Sequence, residues 1–180
     1  MNDLGIPDYD PATTVYSEKF TIEAPASIVW DILVDMDRYG EWNPLCIKAD
    51  STLEMGAPVN MVLNNYTNPG ETVPNCEYVC AVVPERLLSW ELPVEKFEYA
   101  ARRDQVIEAL GPERCLYYSM DAFLGEAARH VMYFAGGWVK RAFDDSGKAL
   151  KERAEAFHKA GRKPGAAPAN KSADKSGNNQ

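Results

Sequence analysis

Histidine and cysteine are scarce in this chain, with two and four copies among 180 residues. His130 and His158 lie far apart, and no His-Glu-x-x-His or Cys-x-x-Cys spacing accompanies them, so no metal site is expected. Cys46, Cys76, Cys80 and Cys115 show no disulfide pattern and read as free thiols of a reducing, cytoplasmic compartment. No Gly-rich phosphate loop follows a strand and opens a helix, because Gly136-Gly137 falls inside a helical pattern; no cofactor is expected. A Gly-x-Ser-x-Gly elbow is also missing, which leaves serine hydrolase chemistry without support. Long apolar runs are absent, so no membrane span is expected. The first fifteen residues hold Asp3, Asp8, Asp10 and two prolines rather than an apolar core, and are not expected to form a leader.

Positive charge is short as well. The net charge is −8, from 27 acidic and 19 basic residues. The tail carries Arg162, Lys163, Lys171 and Lys175 against Asp174, a balance of +3 that leaves the remainder at −11. Such a surface repels phosphate backbones and anionic headgroups, which argues against nucleic-acid and membrane-surface roles. What the chain does have is apolar substance: 46% hydrophobic and 11% aromatic residues, enough for one folded core. We expect a flexible segment over residues 1–12, a domain over 13–160 and a disordered Gly/Pro/Ala/Ser/Lys tail over 161–180.

Thr14 to Glu23 has the alternation of a strand. Pro25 suits a first helical turn, and Ile28, Val29, Ile32, Leu33 and Met36 then recur at helical spacing. A short helix or turn over Asp37 to Asn43 ends at Pro44. Six strands follow, near 46–53, 59–66, 75–83, 87–92, 105–110 and 115–123. They are punctuated by Met55-Gly56, Asn68-Pro69-Gly70, Pro84-Glu85 and Gly111-Pro112. From about Gly125 to Ala160 the period becomes helical, with Ala127, Val131, Ala135, Trp138 and Ala142 on one stripe and a possible kink at Gly136-Gly137. The fold class is therefore α+β: a seven-stranded antiparallel curved sheet, two short helices after the first strand, and one long C-terminal helix.

The strand-Ala24-Pro25-helix opening with Glu41-Trp42-Asn43-Pro44, then Leu88-Ser89-Trp90, then Phe123-Leu124-Gly125 before the last helix, resembles the START-like helix-grip superfamily. The likeness is to its polyketide cyclase/dehydrase (SRPBCC) type, and it covers nearly all of residues 14–157. It implies a sheet gripping the long helix around an apolar cavity for a small hydrophobic ligand. Relatives often carry Thr-x-x-x-His-x-Glu-x-Phe in the last strand; here Cys115, Ser119, Asp121 and Phe123 stand at those positions, with serine in place of histidine.

The resemblance implies that Phe123 faces the cavity, and strand parity counted back from it puts Asp121, Ser119, Tyr117 and Cys115 on the same face. A carboxylate facing an apolar cavity has a raised pKa and can move protons near neutrality, with Tyr117 or His130 as partner. The alternative is a plain ion pair between Asp121 and Arg102, Arg103 or Arg129. His130 could equally flank the helix packing, and Trp42 and Asn43 could serve the turn rather than a ligand. The ligand-binding candidates are Trp42, Asn43, Tyr66, Trp90, Ser119, Phe123, Phe134 and Trp138, whose six aromatics suit a planar apolar ligand. Three functions stay open: a binder of a lipid, aromatic or polyketide-like molecule, a cyclase/dehydratase working through Asp121, and a protein-interaction module. Either a monomer or a homodimer fits.

Overall fold

The computed structural model describes residues 3–93 and 100–161; the expected tail beyond Gly161 lies outside them. The sheet contains β1 (Thr14–Tyr16), β2 (Phe20–Ile22), β3 (Cys46–Asp50), β4 (Pro58–Asn64), β5 (Thr72–Val83), β6 (Leu87–Leu92), β7 (Ala100–Gly111) and β8 (Arg114–Leu124). Its order is β1-β8-β7-β6-β5-β4-β3, with β2 also on β8, and every pairing is antiparallel. The sheet is a curved, unclosed meander. It has eight strands where the sequence predicts seven, because the expected first strand is broken at Ser17. There the chain leaves the ladder: Ser17 N–H donates to the Ser119 carbonyl at 2.9 Å, and the Ser119 N–H donates to Ser17 Oγ at 3.0 Å. A side-chain oxygen thus replaces a backbone acceptor, and β1 and β2 continue along the same partner.

Helix α1 (Ala26–Val34) starts directly after Pro25 and turns Ala26, Val29, Ile32 and Leu33 into the core. A 3-10 segment over Met36–Glu41 follows. Helix α2 (Ala128–Lys159) runs about 48 Å at about 1.5 Å per residue and continues through Gly136-Gly137. The turn into it is made by Gly125 at φ 78°, a left-handed conformation that a side chain would strain. Further along, the Gly147 backbone lies against the Phe20 ring so closely that a Cβ there would overlap it. Leu150 and Ala154 continue this close seam, fully buried among Ile22, Val29, Leu33 and Tyr117.

The outer face of the sheet is covered too. Residues 4–9 cross it, placing Ile6 with Leu87, Val106 and Met120, and Leu4 and Tyr9 beside them. The segment expected to be a loose lead-in is held there by Tyr9, whose hydroxyl donates to Asp104 Oδ2 at 2.8 Å. Asp104 is wholly buried; Ser89 Oγ also donates to it, and Arg102 bridges to it at 3.0 Å.

Candidate functional site

Between the inner sheet face and the first half of α2 the packing is incomplete and leaves a cavity of about 390 Å³, within the usual range for small-molecule sites. Register determines what faces it. Asp121 of β8 lies opposite Arg103 of β7, which lies opposite Trp90 of β6, so these three stand in one row across the sheet. One row toward α2's start, Phe123, Ala101 and Leu92 form the next tier. Glu77 and Asn75 enter from β5, Met61 and Leu63 from β4, and Val131, Ala135, Trp138 and Phe143 from α2. Tyr66, in the β4–β5 connection, closes one side by donating its hydroxyl to Asp145 Oδ2 of α2 at 3.0 Å. Another hollow, of about 520 Å³ beside Glu91, Arg102 and Arg129, is more open and lies outside the grip.

The wall is apolar and aromatic, yet three ionisable groups enter it together. Arg103 is only 7% exposed. Its guanidinium sits 4.2 Å from the Phe143 ring centre and 5.6 Å from that of Trp90, a cation–π arrangement. Its Nε is buried without an acceptor. Asp121 and Glu77 are half-buried and line the cavity, so the surface left to them opens onto it rather than onto bulk water. Burial pushes the Asp121 carboxyl up from 3.8 to about 7; nearby Glu77 adds to the rise and Arg103 opposes it. Glu77 is also raised, chiefly by burial, against a hydrogen bond from Asn75 Nδ2 at 2.7 Å and the charge of Arg103. No salt bridge joins Asp121 to Arg102, Arg103 or Arg129 among the described residues, and Arg102 is engaged with Asp104 on the outer face.

Below this row is a second polar layer. The Tyr117 hydroxyl donates to Gln105 Oε1 at 3.3 Å, while Gln105 Nε2 and Ser119 Oγ are buried with no partner. Burial raises the Tyr117 pKa above its ordinary value.

Of the residues singled out from sequence, Asp121, Tyr66, Trp90, Phe123 and Trp138 line the cavity. Ser119 and Tyr117 share its inner face but are buried one and two rows deeper, respectively. Asn43 is buried elsewhere. Its Oδ1 accepts from the Leu45 and Cys46 N–H groups, both at 3.0 Å, and from Ser146 Oγ at 3.1 Å. Trp42 packs edge-on against Tyr39, ring centres 5.2 Å apart. His130 and Phe134 stack on each other at 5.3 Å on the solvent side of α2, where Phe134 is 69% exposed. Sequence reasoning passed over Glu77 and Asn75, and named Arg103 only as a partner for Asp121. All three lie where pairing is regular; the strand expected at 105–110 begins past Arg103, and the face that Asn75 and Glu77 present depends on neighbouring strands.

Neither a family model nor a curated protein matches the chain. Its likeness is to solved structures. A START superfamily protein from Mycobacterium smegmatis superposes with a TM-score of 0.61 at 15% identity, covering 80% of this chain and 98% of that one. The Zhui aromatase/cyclase from Streptomyces sp. R1128 gives 0.62 at 19% identity, over 80% of this chain and 94% of that one. A protein from Nitrosomonas europaea gives 0.58 at 15% identity, over 82% and 99%. The chain has the START-like helix-grip fold. Among the described residues no helix is long and apolar enough to cross a membrane.

Proposed function

We propose that the protein binds a small hydrophobic, ring-bearing ligand in the cavity between the sheet and α2. The observation that carries this reading is the cavity itself: an aromatic wall around one tight group of polar side chains, the arrangement that buries an apolar body and orients one polar end. The START superfamily neighbour supports it by analogy of fold. The four cysteines, all free thiols, support a reducing, cytoplasmic setting for it. Native mass spectrometry of the protein purified gently from its source should show a discrete added mass. A clean apo mass, together with no thermal shift across a panel of aromatic and polycyclic compounds, would count against the reading.

A second reading has its own observation, the Asp121 carboxyl inside the cavity and pushed up to about 7. Such a group is partly protonated near neutrality and serves either as acid or as base. In a cyclase/dehydratase reaction its carboxylate would take the proton next to a substrate carbonyl, with Arg103 beside the developing enolate oxygen. The protonated form would then give that proton to a departing hydroxyl, released as water. The aromatase/cyclase neighbour lends analogy. Turnover of ring-forming substrates that is lost in Asp121→Asn, with binding retained, is the result this reading requires; unchanged turnover would end it.

A further inference from the structure

Arginine keeps its charge throughout the accessible pH range, and a buried cation without a counter-charge is costly. Arg103 comes close to that position: among the described residues no carboxylate reaches it within salt-bridge distance, and Asp121 and Glu77, which feel its charge, are both held toward their neutral forms by burial. More than nine-tenths of the residue is buried, it lines the cavity, and its Nε has no acceptor among the described residues. Two carboxyls line the same space, yet neither forms a salt bridge with it among the described residues. Glu77 is held instead by Asn75. The Phe143 and Trp90 rings flank the guanidinium without offering it an acceptor oxygen, and the Tyr117 hydroxyl that interacts with it is a neutral partner. Because Arg103 lines the cavity, an anion that arrives from the cavity side would supply the full counter-charge.

We propose that the cavity selects an apolar, ring-bearing monocarboxylate, with the carboxylate received by Arg103 and the ring laid against Trp90, Phe143 and Trp138. This rests on the reading of the cavity as a ligand site. A carboxylate is chosen because it matches the forked donor geometry of a guanidinium. A single negative charge is chosen because Arg103 is the only cation among the described residues that line the cavity. An amine is disfavoured because it would enter beside a permanent cation, while burial holds Asp121 and Glu77 toward their neutral forms.

The test uses three fluorescent probes of one skeleton: anthracene-2-carboxylate, its methyl ester, and 2-(aminomethyl)anthracene. Each is titrated into the full-length protein and followed by quenching of tryptophan emission. The acid is expected to bind at least ten-fold tighter than the ester, and the amine weakest. Arg103→Gln should erase the acid's advantage while leaving ester binding within a few-fold. Ala135→Trp, which fills the cavity from α2, should abolish binding of acid and ester alike. Ester or amine binding to wild type as tightly as the acid would overturn the monocarboxylate proposal and leave the cavity reading intact, and it does so even if Arg103→Gln fails to fold. Binding that survives Ala135→Trp, or no binding by any probe, would overturn both.

Discussion

Replacing Asp121 by asparagine keeps the shape of the side chain and removes the proton that it exchanges. Below about pH 4 the folded and unfolded chains both carry that proton, and stability does not depend on it. As pH rises toward about 7, the unfolded carboxyl ionises at its ordinary value of 3.8 while the folded one, raised to about 7, stays protonated. The folded state then binds more protons than the unfolded state, so wild-type stability falls across that window and levels off above it. The full displacement corresponds to about 4 kcal/mol at about 1.36 kcal/mol for each tenfold change in proton affinity. Water in the open side of the cavity screens this to about 2–3 kcal/mol. Asp121→Asn escapes the loss. In urea denaturation at pH 5, 6, 7 and 8, the variant should gain on wild type by about 1–2 kcal/mol between the ends of the series, since the part lost between pH 3.8 and 5 precedes it. That corresponds to about 2–8 °C in Tm for a chain of this size. A gap that is constant from pH 5 to 8, or that narrows as pH rises, would refute the placement of a desolvated carboxyl in the cavity.

Asn43→Ala strips the acceptor from the Leu45 and Cys46 N–H groups in a buried turn, and should cost about 2–4 kcal/mol in equilibrium unfolding. Gly147→Ala would gain about 1 kcal/mol in an exposed helix; against the Phe20 ring it should instead destabilise by about 2–3 kcal/mol, seen as a lowered urea midpoint. Tyr9→Phe removes one donor from buried Asp104. It should cost about 1–2 kcal/mol and speed amide hydrogen exchange over residues 4–13, with little change in α2.

Element types were legible because local signals agreed with the tertiary arrangement: Pro25 before an apolar helical face, turn residues between alternating runs, and a change of period after Gly125. The family resemblance supplied the face of Phe123, and parity in β8 carried it to Asp121. Arg103 and Glu77 needed the register of β5, β6 and β7, which parity within one strand does not supply. The covered outer face left a sign in Leu87-Leu88-Ser89-Trp90, where consecutive residues are all buried instead of alternating, as expected of a strand covered on both sides. That the cover would be residues 4–9 was a matter of tertiary packing. On α2, the stripe located Trp138, while Phe134 and His130 lie far enough around the helix to meet solvent.

The two halves of α2 divide the work of the protein. From Gly147 to Ala154 the helix presses flush against the sheet and α1, with small residues setting the distance. From Val131 to Phe143 it stands off and roofs an opening. Changes at Val131 or Ala135 would resize the chamber without touching the seam on which folding depends. A lineage can therefore exchange one guest molecule for another while inheriting the same scaffold, because the variable positions and the indispensable ones lie on different turns of a single helix.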